Sequence, residues 1–497
     1  MTVKIYNSLS RQKEEFIPVE NGKVKMYVCG MTVYSDAHIG HARTYFAFDI
    51  IKRYLEYKGY DVTYVQNITD VDDKIINAAN EKMVDALEYS CKFAHRCIED
   101  LERLGIKQAD LYPKASEEIS AMIEMIQKII ENGYGYDVEG DVYFAVEKFS
   151  SYGKLSGQNV DELISGARIA PGDKKRSPVD FALWKNAKPG EPFWDSPWGK
   201  GRPGWHIECS AMSSKYLGLP FDIHGGGMDL RFPHHENEIA QAEAATGKSF
   251  ANYWIHSGLL TINGDKMSKS LGNFINICDL LKKWDPEIIR FFFVQTHYRH
   301  PPDFNDTALK NSEKSLTRIY RLKERLESLS KSETCTTDEH NECEKDSEFQ
   351  SIIDELKTSF EHAMDDDFNT PEAVAVMFEF VNKTNKYLES HPKLCRSIAK
   401  DALDTFILLG RILTLFQEGK KDDDSFMIKA LNDILCKYDS NIGVLKTVDE
   451  LMDQLLLLRK KARDEKKWDV ADNIRDDISC LGFEIQDTSD GTVWRKN

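Results

Sequence analysis

The feature that most constrains this chain is a strand–helix–strand pattern close to its start. Residues 24–29 alternate in the manner of a short strand. Over 42–57, the apolar residues Ala42, Phe46, Ile50 and Tyr54 recur at helical spacing, and Gly59 closes the helix. Residues 62–69 then read as a second strand. Neighbouring strands joined through a helix run parallel, because the crossover returns the chain to the end it started from. The pattern therefore predicts a parallel sheet, which takes its ligands beyond the strands' C-terminal ends.

Farther along, one long helix is expected over roughly 72–104, another over 116–131, and a hairpin around 141–146. Residues 165–204 are rich in Gly, Pro and Trp and read as irregular surface. The α/β pattern resumes with a strand at 221–224, running into Gly225-Gly226-Gly227. Pro233 opens a helix over about 234–245, with Gly247 as its stop. One α/β domain thus reads as split by an inserted segment, and helical spacing dominates from about 309, with Thr370 as an N-cap and Pro371 in the first turn of one helix. The expected division is 1–115, a first catalytic half; 116–200, a connective insertion; 201–308, a second half; 309–425, a helical bundle; and 426–497, a small C-terminal domain.

A formal charge of −17 argues against a nonspecific DNA- or membrane-surface binder. The basic run 459–467 still leaves a local face for nucleic acid. No window approaches the roughly 18 apolar residues of a bilayer span, and residues 1–20 hold no apolar signal core. The 10 cysteines repeat no spacing, which fits reduced thiols in the cytoplasm.

Two motifs carry chemistry. His38-Ile39-Gly40-His41 lies between the first strand and its helix, where free N–H groups favour anions and Gly40 permits close approach. Two surface histidines in a turn would look the same. Lys266-Met267-Ser268-Lys269-Ser270, between Gly264 and Gly272, offers cations and hydroxyls on a hinged loop able to close over a triphosphate, or a merely solvated basic loop. In this order, on this β-α-β pattern, the pair resembles the HIGH and KMSKS motifs of class I aminoacyl-tRNA synthetases.

Further runs narrow the resemblance. They are Cys29-Gly30-Met31-Thr32-Val33-Tyr34, the stretch from Gly201-Arg202-Pro203-Gly204-Trp205 to Cys209-Ser210, Gly225-Gly226-Gly227-Met228-Asp229-Leu230, and Pro233-His234-His235-Glu236-Asn237-Glu238. These resemble the cysteinyl-tRNA synthetase family over essentially the whole chain, the acidic stretch 331–348 excepted. The resemblance implies a split Rossmann-like α/β catalytic domain with an insertion, then an α-helical bundle and a small C-terminal anticodon-binding domain. It implies a monomer that activates L-cysteine with ATP and Mg²⁺ and transfers it to tRNA(Cys). It also implies one Zn²⁺ on Cys29, Cys209, His234 and Glu238. His234 and Glu238, four apart on a predicted helix, share a face. Spacing by itself does not join Cys29 to Cys209, although the N/O/S donor set suits zinc. Ile239 stands where a His-Glu-x-x-His protease helix needs its second histidine, which removes that reading.

Roles follow from the same resemblance. His38, His41, Lys266 and Lys269 are the catalytic donors; Gly40, Gly227 and Asp229 join them around ATP. Trp205, Thr69 and Asp229 are assigned to the cysteine pocket, and Trp468, Asp472 and Arg475, on one helical face, to the anticodon. Ordinary packing remains an alternative for Trp205 and Trp468, as does a tight turn for 225–229. The carboxylates of Asp365, Asp366 and Asp367 are expected to cap or bridge helices. Cys91, His95 and Cys97 sit in a helix without a shared face, and Cys335, His340 and Cys343 lie in the acidic stretch; neither trio is read as a metal site. Two rivals stay in view: a ligase that delivers cysteine to a small amine, and an RNA-binding protein with a degenerate catalytic domain.

Overall fold

The structure, a computed structural model, describes residues 2–160, 162, 174–268, 271–331, 346–392, 394–417, 425–439, 442–481, 483–488 and 491–496. Most of the acidic stretch, including Cys335, His340 and Cys343, lies outside the described residues, as do Lys269 and Ser270. The chain forms two compact units, one of Met1–Met31, Ala37–Thr69 and Leu101–Gln417, the other of Thr32–Asp36, Asp70–Asp100 and Glu418–Asn497.

In the first unit, β1 (Lys4–Asn7) and β2 (Gln12–Glu15) make a hairpin ahead of β3 (Lys23–Thr32), α1 (Ile39–Tyr57) and β4 (Asp61–Thr69). This is the expected strand–helix–strand unit. The insertion follows, with β5 (Gly135–Val138), β6 (Asp141–Phe144), β7 (Phe181–Asn186) and β8 (Gly201–Pro203) in one antiparallel sheet, in sequence order. Part of the stretch expected to be irregular, 165–204, is therefore strand. Gly and Pro punctuation hid two short strands, whose apolar Leu183 and Trp184 are fully buried. β9 (Phe221–Gly227) and β10 (Ala251–Ser257) complete the main sheet, ordered β10-β9-β3-β4. β9 runs parallel to both β10 and β3, with Val28 opposite Gly225. This register brings the end of β3 to the glycine run. Finally, β11 (Thr261–Ile262), β12 (Asp265–Lys266) and β13 (Asp303–Phe304) form a small sheet with β11 at its centre.

The helix Ile119–Glu131 buries Met122, Met125, Ile126 and Ile129, a 3–4 stripe that packs into the core shared with the main sheet. The helices Asp306–Lys331, Asp346–Asp365, Thr370–Ser390 and Arg396–Ile412 make up the expected bundle region. Asn369, not Thr370, caps the third of these: its side chain accepts from Glu372 N, and Thr370 is already the first helical residue. Asn competes as well as Ser for this position, and Pro371 suits either register. The aspartates before it do bridge, but mostly onto the α/β part. Asp367 accepts from Tyr6 N at 2.8 Å, the Tyr298 hydroxyl at 2.7 Å and Arg299 Nε at 2.7 Å. Asp365 accepts from the Tyr54 hydroxyl on α1 at 2.7 Å.

In the second unit, the single helix expected over 72–104 is two, Asp73–Lys82 and Ala86–Arg103, the latter's last residues belonging to the first unit. Met83 adopts a left-handed φ of 55° and ends the first, and the Asp85 carboxylate starts the second by accepting from Leu87 N and Glu88 N. The hydrophobic spacing carries across this break, which is why it reads as continuous. The helices Ser425–Tyr438, Val448–Asp464 and Trp468–Cys480 enclose Leu431, Leu435, Leu451, Leu455, Ile474 and Ile478. A hairpin of β14 (Phe483–Thr488) and β15 (Gly491–Lys496) closes this core. Arg459 grips Asp487 through two bonds, at 2.8 and 3.0 Å, and holds that carboxyl well below the usual range.

Among the described residues, no helix is long and apolar enough to cross a membrane.

Candidate active site and metal centre

β3 leads into a short loop and the start of α1, where His38 is the N-cap. His41 N donates to His38 Nδ1 at 3.2 Å, and His38 N donates back to His41 Nδ1 at 3.4 Å. This reciprocal capping box stacks the rings with centroids 3.5 Å apart. The motif histidines thus form one rigid pair at a helix N-terminus, where partial positive charge favours phosphate. Gly40 leaves little room for a side chain: an added Cβ would lie 3.0 Å from Met267 Cε and 3.0 Å from His38 Nδ1, so these neighbours would have to give way slightly. Met267 belongs to the second motif, so the two motifs meet. Lys266 stands exposed at the end of β12, and Ser268 N donates to Asn273 Oδ1 at 2.9 Å. Lys269, the second lysine of the motif, falls outside the described residues.

The four expected metal ligands converge. One donor atom from each of Cys29, Cys209, His234 and Glu238 lies within 4.8 Å of the others, and all four residues are buried. The two sulfurs are 3.7 Å apart, Cys29 Sγ lies 3.4 Å from Glu238 Oε1, and His234 Nε2 lies 3.0 Å from the same oxygen. Two thiols, an imidazole and a carboxylate are a fitting zinc set. The surroundings orient them. His206 and His234 bond through their Nδ1 atoms at 2.8 Å, which leaves His234 Nε2 to face the centre. His224 Nε2 holds Glu238 Oε2 at 2.7 Å.

Charge is arranged to match. Burial pushes the Cys29 thiol up, and its contacts with Cys209 and Glu238 push the same way. At Cys209 burial acts in that direction too, but the Cys29 bond and His234 outweigh it and bring the thiol down to about 6. Burial would raise Glu238, yet His224 and His234 hold it well below the carboxylate range.

Comparison with known proteins bears on the same residues. The family described as tRNA synthetases class I (C) catalytic domain matches residues 15–314, and a DALR domain matches 359–417. A cysteine–tRNA ligase of Thermococcus gammatolerans is 48% identical over 497 residues, covering 100% of this chain and 99% of the relative. One from Bacillus velezensis is 46% identical, with both chains covered in full at 100%. The chain belongs to the cysteine–tRNA ligase family. Its fold also matches a methionyl-tRNA synthetase of Mycobacterium tuberculosis, with a TM-score of 0.59 at 15% identity over 82% of this chain and 93% of that one.

As a class I aminoacyl-tRNA synthetase, the chain places its other candidates as follows. Thr69, buried at the end of β4, donates to Glu208 Oε2 at 2.8 Å. Trp205 is 38% exposed and lays its ring on His234, centroids 4.1 Å apart, so it borders the metal centre and does not fill a core. Asp229 is exposed just past β9, and a Cβ at Gly227 would come within 2.4 Å of its carboxylate, which would have to swing aside. In the second unit, Trp468 is 56% exposed, which removes the inward-packing alternative, and Arg475 lies 3.6 Å from Asp472.

Several neighbours escaped the sequence reading of this ligase. His235 Nε2 sits 3.3 Å from Cys29 Sγ, while its Nδ1 bonds His256 Nε2 at 2.8 Å, and His256 Nδ1 bonds Ser8 Oγ at 2.8 Å. Cys29, His224, His235 and Glu238 form a second overlapping group of potential ligands. Five of the 13 histidines fall between 206 and 256, a density that could have flagged them; their direction could not be read. Cys91 and His95, four apart, meet with Sγ 3.8 Å from Nδ1, while the Cys97 sulfur turns to Ser35 O at 3.5 Å, so the trio shares no face.

Gly30 sets the spacing of β3 and β4 at the metal centre. Its N–H donates to Asn67 Oδ1 at 2.7 Å, and a Cβ would fall 1.5 Å from Asn67 O. Gly30→Ala is expected to force the strands apart, at about 1–3 kcal/mol or more. Thermal unfolding and the metal-to-protein ratio should both drop; an unchanged Tm with full metal would contradict this packing.

Proposed function

We propose that this ligase activates L-cysteine with ATP and Mg²⁺ to cysteinyl-adenylate and transfers cysteine to tRNA(Cys), with one zinc ion selecting the thiol. The observation that supports it best is the convergence of Cys29, Cys209, His234 and Glu238 close to the loop that carries His38 and His41. Cysteine and serine differ by one atom, which an apolar pocket separates poorly. A zinc ion held by these four residues would supply a thiophilic contact that a hydroxyl satisfies badly. His224 gives Glu238 a second partner if the carboxylate has to yield room. Thr69 and Trp205 line the cysteine side, and Asp229 accepts from the substrate ammonium or ribose. His38, His41, Lys266 and Lys269 hold the triphosphate and spread the charge that builds on it during attack by the cysteine carboxylate.

The chain's segments divide in this reading as catalytic halves 1–115 and 201–308, insertion 116–200, bundle 309–425 and anticodon-binding domain 426–497. The protein acts as a cytoplasmic monomer. Trp468, Asp472 and Arg475 read unpaired bases. Stacking on an aromatic ring is worth about 1–3 kcal/mol per base. Trp468→Ala should therefore raise KM for tRNA about 5- to 100-fold and leave ATP–pyrophosphate exchange unchanged; equal KM would remove Trp468 from the RNA face.

The deciding experiment is ATP–pyrophosphate exchange with each amino acid in turn, on protein purified without chelator. Exchange with cysteine, followed by tRNA-dependent consumption of cysteine, supports the reading. Exchange without tRNA charging would favour a small-amine ligase, and no exchange at all would favour a degenerate RNA-binding protein. Zinc absorption-edge spectra that ignore added cysteine would refute thiol selection by the metal.

A further inference from the structure

Arg43 lies two residues beyond the second motif histidine, on α1, and is buried to 2% exposure. Among the described residues it has no carboxylate partner. Its guanidinium donates to four main-chain carbonyls instead: Nη1 to Phe293 O at 3.1 Å, and Nη2 to Thr296 O at 3.1 Å, His297 O at 2.7 Å and His300 O at 3.4 Å. These carbonyls belong to the end of the helix Pro286–Val294 and the turn that follows it. Among the described residues, Nε finds no hydrogen-bond partner. Burial pulls this arginine down to about 9, so it keeps its charge at neutral pH. A buried cation is expensive unless well satisfied, and here carbonyl dipoles at a helix C-terminus, together with the Phe293 ring 5.9 Å from the guanidinium carbon, offset the cost.

The clamped turn leads directly to the second motif. Gly258 N donates to Tyr298 O at 2.8 Å, and Thr261 N to Pro302 O at 3.0 Å. β13 then pairs in parallel with β11, Thr261 opposite Asp303, and Gly264 N donates to Asp303 Oδ1 at 2.7 Å. β11 turns into β12, which delivers Lys266 and Met267. Met267 comes back against Gly40 on α1. The contacts make a closed ring that begins and ends on α1: Arg43, the 293–300 turn, β13, β11 and β12, Met267, Gly40.

We propose that Arg43 is a positioning residue for the activation step, fixing where the lysine-bearing strand stands relative to the paired histidines. It touches neither substrate nor metal and acts through the ring. This rests on the proposed cysteine activation and names a residue that controls its geometry. A loosened ring still binds cysteine, whose pocket lies on β3, β4, β9 and their helices, but it no longer brings cations and histidines to the same triphosphate.

The test is cysteine-dependent ATP–pyrophosphate exchange on the full chain. Arg43→Met is expected to lower kcat about 30-fold or more, with KM for cysteine within twofold and zinc content unchanged; Arg43→Lys should recover part of the loss. Asp303→Ala breaks the same ring at an exposed position, so it should fold and show a milder fall in kcat of about 3- to 10-fold. If Arg43→Met does not fold, Asp303→Ala decides. Unchanged kcat in folded Arg43→Met, or in Asp303→Ala, overturns the proposal. So does a loss in Arg43→Met explained wholly by a smaller folded fraction. An unmodified protein that shows no exchange would instead defeat the function on which the inference stands.

Discussion

Cys209→Ser is expected to strip the protein of metal and to cut kcat/KM for cysteine by about 10³-fold. Even partners one shell away from a metal are worth about 10- to 100-fold in affinity, and Cys209 would be a ligand itself. It is also the thiol that the Cys29 bond and His234 pull down against burial. Serine at this position stays protonated and leaves His234 and Glu238 with a weak neutral neighbour. The loss should fall mainly on cysteine and not on ATP, because Cys209 sits on the helix Trp205–Leu217, away from the paired histidines in sequence and role. What remains should discriminate poorly. Without a thiophilic contact, a shaped pocket separates near-isosteres by about 10- to 200-fold at most. The check is metal content together with exchange driven by cysteine and by serine. A variant that lacks metal yet still prefers cysteine by more than 10⁴ would place selectivity elsewhere.

His38→Asn should lower the activation rate about 100-fold while leaving the fold intact. The substitution separates two duties of one side chain. His38 caps α1 by accepting from His41 N, and asparagine caps a helix as well as any residue does. Asparagine cannot stack on the His41 ring, and it does not reach as far toward a phosphate. Removing a single well-placed donor of this kind costs about 10²–10³ in kcat. Single-turnover formation of the adenylate measures the rate, and thermal unfolding measures the cap. A matching fall in Tm would mean that the capping box, not the phosphate contact, is what the histidine provides. An unchanged rate would take His38 out of the reaction.

Much of this molecule is legible along the chain. The β3–α1–β4 unit follows from alternation, then helical spacing, then β-branched residues, all of them local patterns set by backbone geometry. Pro233 and Gly247 bracket the helix His234–Thr246 because a proline supports the first turn and a glycine accepts the left-handed φ of 69° that ends it. The errors are equally physical. Apolar spacing runs through the break at Met83 without registering it, and Trp184 and Leu183 were hidden by turn residues on either side. Asn369 and Thr370 are both good caps, so only the observed bond decides between them.

What the sequence determined by itself is the local grammar: which segments are strand or helix, where motif residues sit on them, and, by resemblance, the class of chemistry. Tertiary structure decided which of those residues face one another. Cys29 and Cys209 are 180 positions apart, and only the placement of β3 beside β9, with the helices that flank them, brings the sulfurs to 3.7 Å. The same holds for His224, His235 and His256, whose directions depend on sheet order, and for Arg43, whose four carbonyl partners lie some 250 residues on. Periodicity is written in neighbours a few residues apart. Ligand geometry and a buried cation are set by contacts between distant segments, and those exist only once the sheet has assembled.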